Sequence, residues 1–230
     1  MLFAALTHIH RDPFWWRTIG IGAALMLTGI GFPLGVGLVV EYMENCRKGF
    51  ATPLPPWYDW STRYLIGLFA LLIDFFFFVL PLLVIGLIAL CVSVGIVAAG
   101  AHEAILRMLF WNVGGVIVVI TLGTWLAGLS PTARLHYISE GKIEDALGSA
   151  PLRLVFAPRT RGRLLQMRLA TLPAYLPCLL VGTLFWNLAQ ITFPFQWAVL
   201  LLLAWLTLGT LLYAHLVVGQ IYATHGGALQ

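Results

Sequence analysis

The sequence predicts an all-α protein, a polytopic bundle of transmembrane helices. Of its 230 residues, 60% are hydrophobic and 10% are charged, with a mean hydropathy of +0.93, whereas soluble domains carry about 25% charged residues. Apolar runs recur at the length of roughly 20 residues that one helical crossing of a bilayer needs. The sequence lacks strand-length stretches of alternating polar and apolar residues, which disfavours a β-barrel.

Five apolar segments make up a single integral membrane domain, residues 1–230. The segments cover residues 18–40, 64–95, 108–129, 164–190 and 195–221. The first contains a cluster of helix-breaking residues: Gly29, Gly31, Pro33, Gly35 and Gly37. It could cross once as a kinked helix or fold back as a re-entrant hairpin. We favour the single crossing, because non-helical backbone inside a bilayer must be buried in protein.

The second segment is long for one crossing, because only Asp74 and Pro81 interrupt the apolar residues between 64 and 100. Dividing it into two crossings would weaken the asymmetry of the basic residues across the membrane. One long tilted or kinked helix is therefore predicted. The third, fourth and fifth segments each have the length of an ordinary span.

The thirteen Lys and Arg residues orient the chain. With five crossings, ten of them lie on the side of loops 41–63 and 130–163, against three on the other side. If the first segment folds back, the division becomes twelve to one. Because basic residues favour the cytoplasmic side, both arrangements place these loops and the C-terminus in the cytoplasm. The predicted location is the inner (cytoplasmic) membrane.

The loop before the second segment reads as an interfacial anchor. Its prolines disfavour continuation of the first helix, and aromatic side chains then collect as they do at headgroup depth. Asp59 can cap the following helix. An anchor is favoured over a binding loop. The residues assigned to it are Trp57, Tyr58, Asp59 and Trp60.

The strings "RDPFWW", "EYMENCRKG", "PLPPWYDW", "GLFALLI", "EGKIEDALG" and "YAHLVVGQIYA" follow one another along the chain. In this order they resemble the multi-pass membrane proteins of domain-of-unknown-function family 4013. The most specific matches are Tyr42, Arg47, Gly49, Leu54, Pro55, Trp57, Asp59 and Gly67, and then His215, Gly219, Gln220 and Tyr222. Glu41 departs from the family, which tends to have a small residue there. The resemblance implies the fold and leaves the function open, since the family has no assigned activity.

Two ionisable residues fall inside apolar segments. Asp74 lies about eleven residues beyond Arg63, roughly 16 Å into the membrane at 1.5 Å per residue. A carboxylate there costs several kcal/mol unless it is paired or hydrated, and His215 is the predicted partner. The pair could form a proton relay or ion site, but a hydrogen bond that fixes helix register is favoured.

A short surface helix is predicted at residues 143–150, where apolar residues recur at i, i+3, i+4 and i+7 before Pro151. The arginines that follow can contact anionic lipid headgroups. They are Arg159, Arg161, Arg163 and Arg168. Nucleic-acid binding is not expected despite a pI of about 9.2, because these residues adjoin a membrane segment.

We also expect the two cytoplasmic loops to pack together. Arg47 and Lys48 would meet acidic residues of loop 130–163, while Trp57 and Trp60 would cover the apolar side of the 143–150 helix. Burial of the aromatic rings should dominate this contact, since exposed ion pairs contribute only about 0–1 kcal/mol each.

No catalytic residues, metal site or cofactor are predicted. The sequence shows no nucleophile with a base, no pair of catalytic carboxylates and no glycine-rich phosphate loop. His8, His10 and Asp12 are read as a solvated tail rather than a metal site. A tetrapyrrole bound by His215 is a weak alternative.

The favoured function is a non-catalytic accessory or scaffolding subunit that packs against other integral membrane subunits and the lipid bilayer. The alternative is a small permease or transporter component that uses Asp74 and His215. A water-accessible cavity that includes these two residues would favour the alternative, because a tightly packed bundle could not conduct a solute.

Overall fold

The computed structural model describes residues 1–98 and 103–226, and all regular secondary structure within them is helical. The predicted all-α class is therefore confirmed. The helices are α1 (Leu2–Ile9), α2 (Trp15–Leu27), α3 (Phe32–Lys48), α4 (Trp60–Asp74), α5 (Leu80–Ala98), α6 (Glu103–Leu126), α7 (Leu129–Glu140), α8 (Ile143–Leu147), α9 (Ser149–Phe156), α10 (Pro158–Thr171), α11 (Leu176–Ala189) and α12 (Gln196–Gly226).

Four helical stretches are long and apolar enough to cross a membrane, so the chain is a multi-pass membrane protein. They correspond to the four later predicted segments. Their bounds are Trp60–Ile96, Arg107–Leu126, Pro158–Ala189 and Gln196–Gly226. Residues 227–230, at the C-terminus that we expect in the cytoplasm, lie outside the described residues.

The first of these stretches is one continuous helix with a local irregularity. α4 passes into a π-helical turn at Phe75–Val79 and then into α5. Pro81 has no backbone N–H to donate to the preceding turn, and a π turn accommodates such a break in an otherwise continuous helix. The long single helix predicted for this segment is thus the one observed.

Segment 18–40 does not form the single kinked span that we favoured. It divides into α2 and α3, joined by a turn at Thr28–Gly31. Gly29 has a φ of +72°, a conformation that glycine adopts without strain. Pro33 lies in the first turn of α3, where its missing N–H has no helical partner in any case. The glycine and proline cluster therefore builds a turn rather than a kink.

The centre of the bundle is formed by α3, α4 and the second half of α12. Glycines allow the helix backbones to touch. A Cβ atom on Gly67 of α4 would lie 1.7 Å from the Pro33 carbonyl oxygen, and one on Gly37 would lie 2.2 Å from the Arg63 carbonyl oxygen. Such close contacts are typical of helices packed in membranes.

Side-chain hydrogen bonds join α3 to α12 in the same region. The Tyr42 hydroxyl and the Cys46 thiol both donate to the amide oxygen of Gln220, at 3.2 and 2.6 Å. Burial raises the pKa of the Cys46 thiol to about 12, although its hydrogen bond with Tyr42 acts in the opposite direction. The thiol therefore stays protonated and remains a donor at neutral pH.

The loop before α4 is held by α2 and α3. Trp57 Nε1 donates to the Thr18 carbonyl at 3.1 Å, and the Arg63 guanidinium lies 4.7 Å from the centre of the Trp57 ring. Arg63 pairs with Glu41 at 2.7 Å, so the residue that departs from the family pattern has a structural role. Asp59 accepts a hydrogen bond from the Thr62 amide at 3.3 Å and caps α4, as predicted.

The predicted packing partners of this loop are wrong in detail. Trp57 packs on α2 instead of the 143–150 helix, and Lys48 pairs with Glu44 of its own helix. α7 contacts α3 and α4, and α8 contacts α4, but α3 and α4 both extend beyond the predicted loop 41–63. Most residues of the two predicted loops are helical, because α7, α8, α9 and the start of α10 occupy 130–163.

The surface helix predicted at 143–150 is two helices. α8 ends before Gly148, whose extended backbone starts α9 at Ser149. Pro151 lies in the first turn of α9, where it has no helical hydrogen bond to remove. The apolar positions of α8 nevertheless face the core, since Ala146 is buried.

α5 and α6 form an arm outside this core. α5 packs on α6, and α6 also contacts α7 and α10. In the most apolar windows of Trp60–Ile96 and Arg107–Leu126, 6% and 0% of the residues are buried inside the protein. These surfaces face lipid or another membrane protein.

We predict that Gly67→Ala destabilises the protein by about 1–3 kcal/mol, the usual cost of inserting a methyl group into a packed site, because the new methyl meets backbone rather than a flexible side chain. Gly86→Ala in α5 is the matched control, since its methyl has no neighbour within 4 Å. Thermal unfolding in detergent measures both variants. Equal melting temperatures would contradict the close packing of α3 on α4.

Candidate functional site

A partly buried ion pair lies between the first long span and α7. Asp74 is the last residue of α4, and its carboxylate accepts hydrogen bonds from Ser130 and Arg134. The Arg134 side chain is 8% exposed and that of Asp74 is 28% exposed. Asp74 thus has the polar partner that its depth requires, but the partner is Arg134 instead of the predicted His215.

α7 delivers both partners of Asp74. Ser130 and Arg134 are four residues apart and therefore lie on one face of the helix. The sharp turn from α6 into α7 depends on Gly128, which has a φ of +71°. A Cβ atom there would also lie 2.1 Å from the Tyr222 hydroxyl oxygen. Backbone conformation and lack of space both require glycine at this position.

His215 lies on α12 beside this ion pair without bonding to it. Its Nδ1 is 2.9 Å from the Leu211 carbonyl oxygen, which can only accept, so Nδ1 carries the proton and Nε2 is the accepting nitrogen. The ring of Tyr175 meets the His215 ring edge-on at 5.8 Å. Asp74 and His215 therefore belong to one site, as neighbours around a cavity.

Two cavities meet at the ion pair. The larger has a volume of about 200 Å³, and the smaller, on the side of Met26 and Phe32, has a volume of about 110 Å³. Asp74, Arg134 and His215 line both. The larger cavity is lined by these polar and aromatic residues: Asp74, Phe78, Trp125, Ser130, Arg134, Arg168, Tyr175 and His215.

Arg168 forms the far wall of the larger cavity. Its guanidinium carbon lies 3.8 Å from the centre of the Trp125 ring and 5.9 Å from that of Tyr175. The residue is 5% exposed, which corrects the prediction that Arg168 contacts lipid headgroups. Arg159, Arg161 and Arg163 do lie on the surface. The Nε atoms of Arg134 and Arg168 are buried without a hydrogen-bond partner.

The remaining candidates lie apart from this site. Tyr58 is 75% exposed and Trp60 is 44% exposed, as an interfacial position allows, and their predicted role in anchoring stays a prediction. His10 lies 3.2 Å from the Tyr213 hydroxyl, and Asp12 accepts from the Phe14 amide at 2.8 Å. Among the described residues, no group of three or more His, Cys, Asp or Glu side chains could hold a metal ion.

The space beside His215 is small for a tetrapyrrole. Cofactor pockets usually measure about 300–1,000 Å³, whereas the larger cavity here has about 200 Å³. The arrangement suits a smaller polar ligand, which could reach the carboxylate, the two guanidinium groups, the Ser130 hydroxyl and the imidazole.

Sequence reasoning missed Ser130, Arg134 and Tyr175, and it assigned Arg168 to the lipid surface instead of the cavity. Arg134 was counted only as a determinant of topology. A signal for Arg168 was present, because Leu164, Met167, Arg168 and Thr171 have the i, i+3, i+4, i+7 spacing of a buried helix face, and all four are buried. Arg134 had no such signal, since the direction of α7 depends on the turn at Gly128.

The two sets of residues that carry the family resemblance meet in the core. Tyr42 bonds Gln220, Gly67 contacts Pro33, and a Cβ on Gly219 would lie 2.7 Å from Met43 Cγ. Neither comparison with curated proteins nor comparison with solved structures gave a match. The model of one family, described as "Protein of unknown function (DUF4013)", matches residues 21–185. That match spans more than half of the chain, and the protein therefore belongs to the DUF4013 family.

Proposed function

We propose that this integral membrane protein binds a small polar solute in the cavity at Asp74 and serves as a component of a permease or transporter. The observation that carries the proposal is the Asp74–Arg134 pair at the junction of two cavities. The cavity is the feature that distinguishes this function from that of a purely structural subunit.

The energetics of the pair support a functional role. Removing two charges from water costs several kcal/mol per ion, and a well-packed apolar pair is often as stable. Ionisable residues inside membrane segments are typical of solute and ion pathways. A pair that only fixed helix register would gain nothing from open space beside it, yet Asp74 and Arg134 line two cavities.

The position of the ion pair between the two cavities also supports transport. Separation of Asp74 from Arg134 would join the two cavities, so the ion pair has the position of a gate between them.

We propose a topology of four spans, in which α2 and α3 both lie on the same side of the membrane. Of the thirteen basic residues, Arg107 then falls alone on the side opposite to the other twelve. Basic residues favour the cytoplasmic side, which places α7 to α9 and the C-terminus in the cytoplasm and the protein in the cytoplasmic membrane.

We propose no catalytic step at this site. Both carboxylate oxygens of Asp74 already accept hydrogen bonds, from Ser130 and Arg134. Binding and passage of a solute require only that these bonds exchange.

Accessibility of a cysteine at position 130 tests the transport proposal without knowledge of the solute. The background carries Cys46→Ser, Cys91→Ala and Cys178→Ala. Ser130→Cys in vesicles should react with a small membrane-impermeant methanethiosulfonate reagent applied from either side, because a carrier exposes its site to both sides in turn.

Arg161→Cys is the control, since this exposed residue should react from one side only. Reaction of Ser130→Cys from a single side, with the control behaving as expected, would remove the transport proposal.

A second candidate function is that of an accessory or scaffolding subunit in a larger membrane complex. The observation that favours it is the α5–α6 arm, which buries almost none of its apolar residues within the protein. A partner subunit that packed on this arm would cover that surface.

Photo-crosslinking tests this second function. A photoreactive residue placed at Val119, which is 70% exposed on α6, should capture one discrete protein in native membranes. The same residue placed at Arg161 on α10 serves as the control. Capture of lipid alone at Val119 would count against a partner on this arm.

A further inference from the structure

We propose that the larger cavity binds the anionic group of its ligand, a phosphate or a carboxylate, between Arg134 and Arg168. This inference deepens the proposed function, because it names the ligand class of the same site. It depends on the charges, the unbonded nitrogen atoms and the shape of the cavity.

The charges that line the cavity do not balance. Arg134 and Arg168 each contribute a positive charge, and Asp74 contributes the single negative one. Within residues 1–98 and 103–226, no carboxylate forms an ion pair with Arg168. A buried charge without a partner is strongly destabilising, so an anion in the cavity would stabilise the folded protein.

The unbonded atoms point to the same conclusion. Arg134 and Arg168 are 6% and 5% exposed, and the Nε–H of each lacks a hydrogen-bond partner. Buried polar groups in native proteins nearly always have a partner. Protein atoms cover both Nε atoms here, so an oxyanion in the cavity would satisfy these donors only after the arginine side chains turn toward it.

The orientation of Arg168 suits an oxyanion. Its flat face is covered by Trp125 at 3.8 Å, while the N–H donors of a guanidinium lie in its plane and project from its edge. Stacking on an aromatic ring therefore leaves the fork that binds carboxylate and phosphate in bidentate geometry. The hydroxyl of Tyr175 lines the same cavity and could donate to a further ligand oxygen.

The cavity volume of about 200 Å³ limits the ligand to a small anion or to the head of a larger molecule. The anionic group could come from a soluble solute or from a phospholipid headgroup. Both present the same oxygen atoms to the arginines, and the experiment is arranged to tell them apart.

The test uses the full-length protein purified in a non-ionic detergent. Thermal unfolding is followed with increasing sodium phosphate or sodium acetate, against sodium chloride at equal ionic strength. Native mass spectrometry of the same sample follows the addition of phosphatidylglycerol, with phosphatidylcholine as the uncharged control. Both measurements are repeated with Arg168→Gln, Arg168→Lys and Arg161→Gln. The Arg161→Gln variant is the control, because it changes an exposed arginine outside the cavity.

We expect a saturable effect that depends on Arg168. A soluble ligand should raise the melting temperature by roughly 5–10 °C at one hundred times its dissociation constant, whereas a lipid ligand should give one retained phosphatidylglycerol. Arg168→Gln should abolish the effect, and Arg168→Lys should weaken binding at least tenfold, because lysine keeps the charge but loses the fork. Arg161→Gln should behave like the natural protein with phosphate and acetate, and it should keep the one phosphatidylglycerol that is retained in the cavity.

The inference is overturned if phosphate, acetate and phosphatidylglycerol all fail to bind saturably, or if Arg161→Gln reduces binding as much as Arg168→Gln. If Arg168→Gln does not fold, the tenfold effect of Arg168→Lys decides the outcome. Binding without two-sided access of Ser130→Cys would refute transport while supporting the anion site. Two-sided access of Ser130→Cys without anion binding would refute the anion site while supporting transport.

Discussion

The ion pair between Asp74 and Arg134 is the constraint on which the site depends. An unpaired carboxylate inside a membrane segment costs several kcal/mol, so α4 and α7 are stable only when the two residues meet. Their meeting fixes α7 against the end of α4, which brings Ser130 to the same carboxylate. The cavity, its arginines and its imidazole are arranged around this contact.

Close backbone contacts hold the helices that carry the pair. Gly67 and Gly37 allow α3 to touch α4, and Gly219 allows α12 to approach α3. Side chains at these positions would separate the helices by the width of a methyl group or more. The helical core is thus packed without space at the glycines and open at the charged residues, and this contrast supports a ligand site rather than a packing defect.

The sequence predicted the parts of the fold that depend on length and polarity alone. Apolar runs identified the four long spans, and the depth of Asp74 showed that it needed a polar partner. The partner itself depended on the turn at Gly128, a tertiary feature with no periodic signal. Segment 18–40 was misjudged because glycine and proline permit a kink and a turn equally well, and only the packing of α2 and α3 decides between them.

A double-mutant cycle on the ion pair tests the central claim most directly. Asp74→Asn, Arg134→Gln and the double variant are compared by thermal unfolding in detergent, with Glu44→Gln and Lys48→Gln as the exposed control pair. Breaking a buried pair costs about 3–5 kcal/mol. We predict that the double variant loses less free energy of unfolding than the two single variants lose together, by at least about 1 kcal/mol. The exposed pair should show a coupling energy of only about 0–0.5 kcal/mol. Additive effects at Asp74 and Arg134 would contradict the account.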